Sequence, residues 1–354
     1  MSSLTDFQQV PVVDVSGLFG DDVARAAVAE ELSRVSREVG FLYVTGHGVD
    51  EQLYAGLLRA AETFFALPIE EKQKTYIGRS SNHRGYVPTG EEGTYSSKAV
   101  DLKEAFDTSL ELPADDPEYL AGNPMLGPNQ WPDLPGFQAA ITSYYNAVIA
   151  FGKVLLRGFA MALGEAPDRF DDLVQRAPSQ LRLVHYPYDE HAVDNMGIGA
   201  HTDFEVFTIL KPTKPGLEVM NGAGEWIDVP PIDGAFVVNI GDMLDIWSNG
   251  AFVATLHRVR KVAEERYSFP LFFNVDYDVE VAPLEQLVRG DGTDRLPLKA
   301  GEHLYAQTIH AFRYLKERLA RGEIALPEGS VPEGSFGPVA NQKAAEAAAV
   351  AAVA

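Results

Sequence analysis

Cysteine is absent from the 354-residue sequence, and this absence excludes several kinds of site. A chain without thiols has no disulfide, no thiolate metal ligand and no cysteine nucleophile. Long apolar runs are missing as well, because no stretch approaches the roughly 18–20 apolar residues that span a bilayer. The segment from Met1 to Val10 has neither the basic start nor the apolar stretch of a signal peptide. We therefore expect a cytoplasmic protein with no membrane partner.

Positive charge is also scarce in this sequence. The 29 lysines and arginines face 51 aspartates and glutamates, so the formal net charge is −22. Proteins that bind nucleic acid usually present a basic face to the phosphate backbone, so we expect no nucleic-acid partner. We expect a small-molecule partner instead, since a pocket can be locally basic even in an acidic chain. The sequence carries no indication of oligomeric state.

Three helices are predicted in the first half of the chain. Apolar residues recur at helical spacing from 24 to 39, and Gly40 stands where a C-cap glycine would. Further helices are expected over 51–67 and over 138–163. The stretch 74–134 is rich in Gly, Pro and Ser. It predicts long loops around short strands, which is a usual place for surfaces that select a substrate.

Short apolar runs separated by turn signals follow from Leu181 onward. The predicted strands are 181–186, 207–210, 217–220, 235–240, 254–259 and 268–275, and a last helix is expected over 306–321. Many short strands with Gly and Pro turns predict a jelly roll. The expected fold class is α+β, with helices flanking a jelly-roll core. We divide the chain into an N-terminal helical and strand region (1–170), the core (171–330) and an alanine-rich tail (331–354).

Two histidines and one aspartate have the chemistry of a metal site. His201 and Asp203 are two residues apart, so in an extended segment both side chains project from the same face. His257 lies on another predicted strand. Two histidines with one carboxylate form the facial triad that leaves positions open on Fe(II). The alternative is that the His-Thr-Asp sequence arises by chance among eight histidines, and that His257 is a structural strand residue.

Arg266 and Ser268 share the same spacing at the start of an apolar strand. A guanidinium and a hydroxyl would then point together into the jelly roll. A buried arginine needs an anionic partner, and its planar fork fits a carboxylate in a bidentate way. The alternative is an arginine at a strand start that is exposed or paired with Glu264 or Glu265.

These residues lie within a longer series of motifs. The sequence resembles the isopenicillin N synthase-like family of 2-oxoglutarate/Fe(II)-dependent dioxygenases, from Val10 to about Tyr314. The N-terminal resemblance rests on residues 10–14, 40–49, 84–86 and 129–132, and the core resemblance on 200–203, 239–242, 247–250, 256–259 and 266–268. The motifs occur in the family's order and at its spacings.

The resemblance implies a double-stranded β-helix in which His201, Asp203 and His257 bind Fe(II). It also implies that Arg266 and Ser268 bind the far carboxylate of 2-oxoglutarate, and that Tyr186 approaches this cosubstrate. The implied reaction uses O₂ and couples decarboxylation of 2-oxoglutarate to hydroxylation, desaturation or cyclisation of a small molecule. The motif 239–242 is expected to be a structural strand and turn.

The residues that contact the substrate are harder to read. Arg182 shares a strand face with Tyr186 and is a candidate for holding an anionic group, or is a surface or core-edge arginine. Arg84 aligns with an arginine that receives a substrate carboxylate in isopenicillin N synthase, and it also recurs as a scaffold residue. The candidate lining aromatics, which are otherwise plain core, are Phe204, Phe207, Phe269 and Phe273.

Two other functions are consistent with the same residues. An oxidase of the isopenicillin N synthase type uses no 2-oxoglutarate, and there the arginine and serine pair serves a substrate carboxylate. A non-catalytic jelly roll could hold a structural or sensory metal in the triad. Structural sites usually close with four ligands, whereas three ligands beside an arginine suggest an open position.

Overall fold

A computed structural model describes residues 4–93, 103–188, 196–260, 264–328 and 330. The predicted alanine-rich tail, 331–354, lies outside these residues. The strands in the described ranges are β1 Val12–Asp14, β2 Phe41–Thr45, β3 Gly85–Val87, β4 Glu104–Thr108, β5 Gln180–Tyr186, β6 Met196–His201, β7 Phe207–Pro212, β8 Leu217–Met220, β9 Trp226–Asp228, β10 Phe236–Ile240, β11 His257–Arg260, β12 Arg266–Phe273, β13 Glu280–Val281 and β14 Leu298–Lys299. The α-helices are α1 Asp22–Glu38, α2 Glu51–Phe65, α3 Ile69–Lys72, α4 Pro117–Leu120, α5 Phe137–Ala162, α6 Asp242–Trp247, α7 Ala300–Ala311 and α8 Arg313–Ala320.

Two facing sheets form the jelly roll. The larger sheet has the strand order β1-β2-β10-β7-β12-β5-β4-β3, and the smaller one has the order β6-β11-β8-β9. All of these pairings are antiparallel except that of β1 with β2. The predicted jelly-roll core with flanking helices is therefore confirmed. The division at residue 170 stays a prediction, since strands from both sides of it share the larger sheet.

Helix α5 belongs to the helical layer that packs against the larger sheet. Its buried residues include Ile141, Tyr144, Val148 and Leu155, and it packs against α1, α2 and β12. By length and composition alone, α5 is apolar enough to cross a membrane, and it is the one such helix among the described residues. Its apolar side is used here for packing within the protein, which is the role of a core helix.

Gly40 joins α1 to β2 in the left-handed backbone region, with φ of +69°. A side chain there would collide with the carbonyl oxygen of Val253 and the hydroxyl of Thr255, so the close approach requires glycine. The predicted end of this helix is confirmed.

The last helix differs from the prediction. It begins at Ala300 and is interrupted at Phe312, whose backbone is extended (φ −99°, ψ 130°) before α8 begins. The backbone at the interruption is hydrogen-bonded to the loop 91–93. The Gly93 amide donates to the Ala311 carbonyl, and the Arg313 amide donates to the Glu91 carbonyl. Pairing with this loop replaces helical hydrogen bonds at the break. The interruption brings Phe312 to the wall of the central cavity.

Candidate active site

The predicted metal residues converge at one end of the smaller sheet. His201 ends β6, His257 begins β11, and the two residues face each other directly across the strand pair. Asp203 follows β6, and its Oδ1 lies 3.6 Å from Nε2 of His201 and 3.5 Å from Nε2 of His257. One ligand atom of each residue lies within 4.8 Å of the other two. The structure therefore brings the three side chains together as the sequence predicted.

Backbone carbonyls orient both imidazole rings. Nδ1 of His201 lies 2.8 Å from the Gly199 carbonyl oxygen, and Nδ1 of His257 lies 3.1 Å from that of Thr255. A carbonyl only accepts, so each Nδ1 carries the hydrogen in this arrangement. Each Nε2 then faces Asp203, and in the neutral ring it has the lone pair that binds a metal. This orientation by a partner behind the ligand is typical of metal-binding histidines.

Asp203 is oriented by two side chains from the larger sheet. Its Oδ2 accepts hydrogen bonds from the Thr208 hydroxyl, at 2.5 Å, and from the Asn239 amide, at 2.7 Å. These bonds leave Oδ1 for the side of the histidines. The motif that contains Asn239 predicts a structural strand and turn, and Thr208 is not among the predicted site residues. The two residues stand directly opposite each other on β10 and β7, so both reach the same carboxylate.

The ionisation states of His201 and Asp203 suit a divalent metal. Burial lowers the pKa of His201 to about 4, so its imidazole is neutral near neutral pH. Burial alone would raise the pKa of Asp203, but both histidines and the Asn239 amide outweigh it and hold that pKa well below its usual range. Two imidazole nitrogens and one carboxylate, without thiolate, are a donor set that fits Fe(II). The residues present therefore fit the metal that the resemblance implies.

Removing the Thr208 hydroxyl should weaken iron binding without unfolding the protein. Thr208→Val keeps the shape of the side chain and removes one hydrogen bond to Asp203, so the carboxylate is less firmly oriented. Loss of such a partner typically lowers metal affinity by about 10- to 100-fold. Anaerobic Fe(II) titration measures the change, with Thr63→Val on α2 as the control, since its exposed hydroxyl donates to the Arg59 carbonyl of the same helix. Equal affinities in both variants would show that Thr208 does not support the metal site.

Arg266 brings an unpaired positive charge to the same cavity. It is 1% exposed, and Nη1 and Nη2 have no hydrogen-bond partner among the described residues. Nε donates to the Lys214 carbonyl at 3.1 Å. The guanidinium lies 4.7 Å from the ring centroid of Tyr186, the residue directly opposite on β5. Burial lowers the pKa of Arg266 below its usual value. A buried cation with two free nitrogens is suited to an anionic ligand.

The acidic neighbours of Arg266 in sequence are engaged elsewhere. Glu264 pairs with Lys214 at 3.1 Å. Glu265 Oε1 lies 3.0 Å from Nε2 of His185 and accepts a hydrogen bond from the Tyr267 hydroxyl. The alternative in which Arg266 pairs with either glutamate is therefore wrong.

One cavity includes all of these groups. Along β5, alternate residues 182, 184 and 186 line it, as the period of a strand predicts. The three metal residues line its wall. The residues predicted to hold 2-oxoglutarate line it as well, and these are Arg266, Ser268 and Tyr186. Phe204 also lines the cavity.

Arg182 lines the cavity, but its guanidinium is already paired. Asp107 accepts from Nε and Nη2 at 2.7 and 2.8 Å, and Glu92 accepts from Nη1 at 2.8 Å. Two carboxylates saturate the planar fork. The suggestion that Arg182 holds an anionic substrate group therefore requires correction, because the structure supplies its counter-charges internally.

Three of the predicted lining aromatics belong to the core. The ring of Phe273 stacks on that of Phe207, with centroids 4.7 Å apart and planes 5° apart. Phe273 also lies against Gly152 of α5, where no side chain would fit. Phe269 is fully buried and contacts Tyr54 of α2. None of the three lines the cavity, because alternate residues of these strands face the helices.

Arg84 is a structural residue and does not line the cavity. Its guanidinium is fully buried and donates to the backbone carbonyls of Asn82, His83 and Met125. Its backbone carbonyl accepts from Gln130. Three carbonyls from two loops meet at one side chain, so Arg84 fastens these loops together. The predicted contact with a substrate carboxylate is not found in this geometry.

Loss of Arg84 should destabilise the fold. Arg84→Met keeps much of the side-chain volume but leaves three buried carbonyls without donors. Several unpaired buried groups together should lower the free energy of unfolding by about 3 kcal/mol. Urea denaturation followed by circular dichroism measures the loss, and Arg79→Met, at an exposed position, is the control. A midpoint equal to that of the control would contradict the structural role of Arg84.

Further charged residues of the cavity were not singled out from the sequence. Lys103 pairs with Glu92 at 3.0 Å, so Glu92 lies between two cations. Burial raises the pKa of Glu205 to about 8, and the neighbouring Asp203 adds to this effect. Glu205 follows the predicted metal aspartate by two residues, and that spacing is the sequence feature that indicates its place beside the site.

A jelly roll that holds two histidines, one carboxylate and a buried arginine around one cavity defines a non-haem iron oxygenase. The comparisons with known proteins agree. Residues 178–275 match the 2OG-Fe(II) oxygenase superfamily, and residues 10–134 match the N-terminal region described as non-haem dioxygenase in morphine synthesis. The chain belongs to the 2OG-Fe(II) oxygenase superfamily and to its isopenicillin N synthase-like branch.

Individual relatives are similar over most of their length. A homoarginine-6-hydroxylase of Arabidopsis thaliana is 36% identical over 79% of this chain and 89% of its own. A 2-oxoglutarate-Fe(II) type oxidoreductase of Emericella nidulans is 36% identical over 76% and 80%. The crystal structure of a full-length Neurospora crassa protein in complex with alpha-KG and thymine has a TM-score of 0.74 and 25% identity, covering 91% of this chain and 99% of that one.

The protein is therefore a non-haem Fe(II) dioxygenase that couples decarboxylation of 2-oxoglutarate to oxidation of a small-molecule substrate. Its cofactors are Fe(II), 2-oxoglutarate as cosubstrate and O₂. This finding confirms the main function predicted from the sequence. It disfavours both the oxidase that uses no 2-oxoglutarate and the non-catalytic metal-binding jelly roll.

Proposed function

We propose that His201, Asp203 and His257 are the Fe(II) ligands and that Arg266, with Ser268, binds the far carboxylate of 2-oxoglutarate. The two buried nitrogens of Arg266, unpartnered among the described residues, carry this proposal, because they lie in the cavity that the triad also lines. A carboxylate that accepts from both would satisfy them in the bidentate geometry that arginine favours.

The other residues of this subsite have separate tasks. Ser268 lies two residues along β12 from Arg266 and also lines the cavity, so its hydroxyl can donate to the same carboxylate. The Tyr186 ring lies against the guanidinium and limits the directions in which it can turn. Val184 stands opposite Ser268 and lines the same cavity. Its apolar side chain offers no hydrogen bond, and the carboxylate therefore depends on Arg266 and Ser268.

Bound Fe(II) and 2-oxoglutarate together supply the oxidising power, with O₂ consumed and succinate and CO₂ released. The chain holds the ligands in fixed orientations through the Gly199 and Thr255 carbonyls and through Thr208. Leu210 and Leu217 contribute apolar wall to the cavity, which keeps water from the reacting atoms.

We further propose that the reaction is hydroxylation of a small polar molecule. The cavity combines apolar wall with a charged end formed by Glu92, Lys103 and Arg182, so it suits a substrate with both an aliphatic and a polar part. The Arabidopsis relative is named a hydroxylase, and homoarginine is a molecule of this kind.

Product analysis tests the reaction type. The enzyme, loaded anaerobically with Fe(II) and 2-oxoglutarate, is exposed to ¹⁸O₂ with L-homoarginine, L-arginine or thymine as trial substrates. We expect a product that carries one ¹⁸O atom and an equimolar amount of succinate. A product that has lost two hydrogens without gaining oxygen would replace hydroxylation by desaturation. Substrate oxidation without succinate would contradict the role of 2-oxoglutarate.

A further inference from the structure

Gln180 begins β5 and places a buried side-chain amide in the wall of the active-site cavity. The residue is 7% exposed, and its Nε2 has no hydrogen-bond partner among the described residues. Gln180 shares the cavity-facing side of β5 with Arg182, Val184 and Tyr186. A buried donor that forms no hydrogen bond costs free energy, because it has lost water and gained no partner. An unpaired amide in a cavity wall is therefore suited to a ligand that accepts a hydrogen bond.

Strand pairing places Gln180 at the metal end of the larger sheet. Phe272 on β12 stands directly opposite Gln180 of β5 on one side and Thr208 of β7 on the other. Thr208 in turn stands opposite Asn239, and both donate to Asp203. Neighbouring strands lie about 4.8 Å apart, so the backbone of Gln180 is about 10 Å from that of Thr208. A substrate group bound to Gln180 would therefore lie beside the proposed iron ligands, where the oxidation takes place.

The charges that lie close to Gln180 on the sheet are already paired. Arg182, two residues along β5, pairs with Asp107 and Glu92, and Lys103 also pairs with Glu92. An ionic substrate group beside Gln180 would find no unpaired counter-ion among these four residues. Burial of a charge without a counter-ion is costly. The substrate group that Gln180 accommodates best is therefore neutral.

We propose that Gln180 binds a neutral amide-type group of the substrate, such as a carboxamide, a lactam or a urea. Nε2 donates to the carbonyl oxygen of this group, and Oε1 accepts from its N–H. This inference rests on the proposed function, because it places the substrate in the cavity that holds Fe(II) and 2-oxoglutarate. A site that hydrogen-bonds a polar group of its substrate rejects analogues that lack the group, so Gln180 determines specificity.

Three probes of the same shape measure this preference. Hexanamide offers both a carbonyl oxygen and N–H groups, hexanoate lacks the N–H groups, and hexanamidinium lacks the acceptor. Isothermal titration calorimetry of each probe into the full-length enzyme, with Fe(II) and saturating 2-oxoglutarate under anaerobic conditions, gives three dissociation constants. We expect hexanamide to bind about fivefold or more tightly than either ion, because each ion loses a hydrogen bond to Gln180. Equal binding of the three probes, or tighter binding of either ion, would overturn the assignment.

Gln180→Met identifies the residue that is responsible. Methionine keeps the length of the side chain and removes both hydrogen-bonding atoms. Binding of hexanamide should therefore weaken by about fivefold or more, while binding of hexanamidinium changes by less than about twofold. Gln175→Met is the matched control and should change neither, since its exposed amide donates to the Asp171 carbonyl outside the cavity. Equal weakening of both probes in Gln180→Met would show that the residue acts on the shape of the cavity, and would contradict the proposal.

The free energy of unfolding separates substrate binding from a structural role. Without a probe, Gln180→Met replaces an unpaired buried donor with an apolar side chain, so the stability in urea should stay the same or rise. Loss of stability together with unchanged binding of hexanamide would assign Gln180 to the fold instead. The comparison of the three probes uses the unchanged enzyme and does not depend on how the variant folds.

The same samples separate this inference from the proposed function. Binding of Fe(II) and 2-oxoglutarate is measured first, without any probe, by the visible charge-transfer band of their complex. A normal band with no preference for hexanamide would contradict only the role of Gln180. Absence of the band would contradict the proposed cosubstrate site. In that case a preference for hexanamide that Gln180→Met abolishes would still support the amide subsite.

Discussion

Arg266→Met is expected to weaken 2-oxoglutarate binding by about two hundred- to five thousandfold. Two nitrogens of the buried Arg266 guanidinium have no hydrogen-bond partner among the described residues, so its charge does not stabilise the fold through an ion pair there. Removing one partner of a buried, hydrogen-bonded charge pair typically costs about 3–5 kcal/mol, which corresponds to this loss. Fluorescence or calorimetric titration of the Fe(II)-loaded enzyme with 2-oxoglutarate measures it.

The stability of the protein distinguishes this role from a structural one. Without cosubstrate, Arg266 is a buried cation that lacks an anion, and methionine replaces it with an apolar side chain of similar length. The free energy of unfolding in the absence of 2-oxoglutarate should therefore stay the same or rise. Replacement of a structural arginine such as Arg84 by methionine should instead lower the free energy of unfolding. A variant that unfolds more readily but binds 2-oxoglutarate normally would contradict the assignment.

Two further variants serve as references for the loss of 2-oxoglutarate affinity in Arg266→Met. Ser268→Ala removes one hydrogen bond to the cosubstrate and should weaken its binding by about fivefold, in line with about 1 kcal/mol for such a bond. Arg260→Met removes a half-exposed arginine that pairs with Asp228 and Glu218 outside the cavity. It should leave the affinity for 2-oxoglutarate unchanged.

Asp203→Asn is expected to reduce turnover to below about a thousandth of the wild-type rate, chiefly by loss of iron. The substitution keeps the size of the side chain but removes the one anionic member of the triad. The negative charge of this ligand supplies several kcal/mol to the binding of a divalent cation. Iron content after dialysis and anaerobic Fe(II) titration report the loss directly, and succinate formation reports the turnover.

The control for Asp203→Asn is the same change at an exposed position. Asp228→Asn removes a carboxylate that is largely exposed and pairs with Arg260. It should retain full iron content. Near-normal iron affinity in Asp203→Asn, together with activity close to that of Asp228→Asn, would show that the carboxylate does not hold the metal.

The jelly roll and the placement of His201 and Asp203 on one side were predictable because both depend on local patterns. Strand alternation placed Arg182, Val184 and Tyr186 on one face, and the structure has all three in the cavity wall. The pairing of His201 with His257 required the topology, since these residues are far apart in sequence. The ordered motifs of the family supplied that topology where the spacing of single residues could not.

Other features depend on contacts that no local pattern encodes. Arg84 was a candidate for binding substrate, but its guanidinium meets the carbonyl of Met125, 41 residues away in the chain. Phe273 was a candidate for the cavity wall, and packing against Phe207 and Gly152 places it in the core. An arginine or phenylalanine has the same local preferences in either setting, so only the tertiary structure decides its role.

The ion pairs inside the cavity likewise could not be predicted from the sequence. Arg182 has the chemistry of an anion receptor, and only the folded chain shows that Asp107 and Glu92 occupy its guanidinium. The break between α7 and α8 has the same origin. Its residues favour a continuous helix locally, and pairing with residues 91–93 overrides that preference.

Anaerobic titration with Fe(II) and then 2-oxoglutarate tests the central claim most directly. The account predicts that one Fe(II) per chain binds and that 2-oxoglutarate then produces the visible charge-transfer band of its iron chelate. Asp203→Asn should abolish the band, whereas Arg266→Met should shift its midpoint to about a hundredfold or more higher 2-oxoglutarate concentration. A wild-type protein that binds iron and gives no band at saturating 2-oxoglutarate would contradict the account.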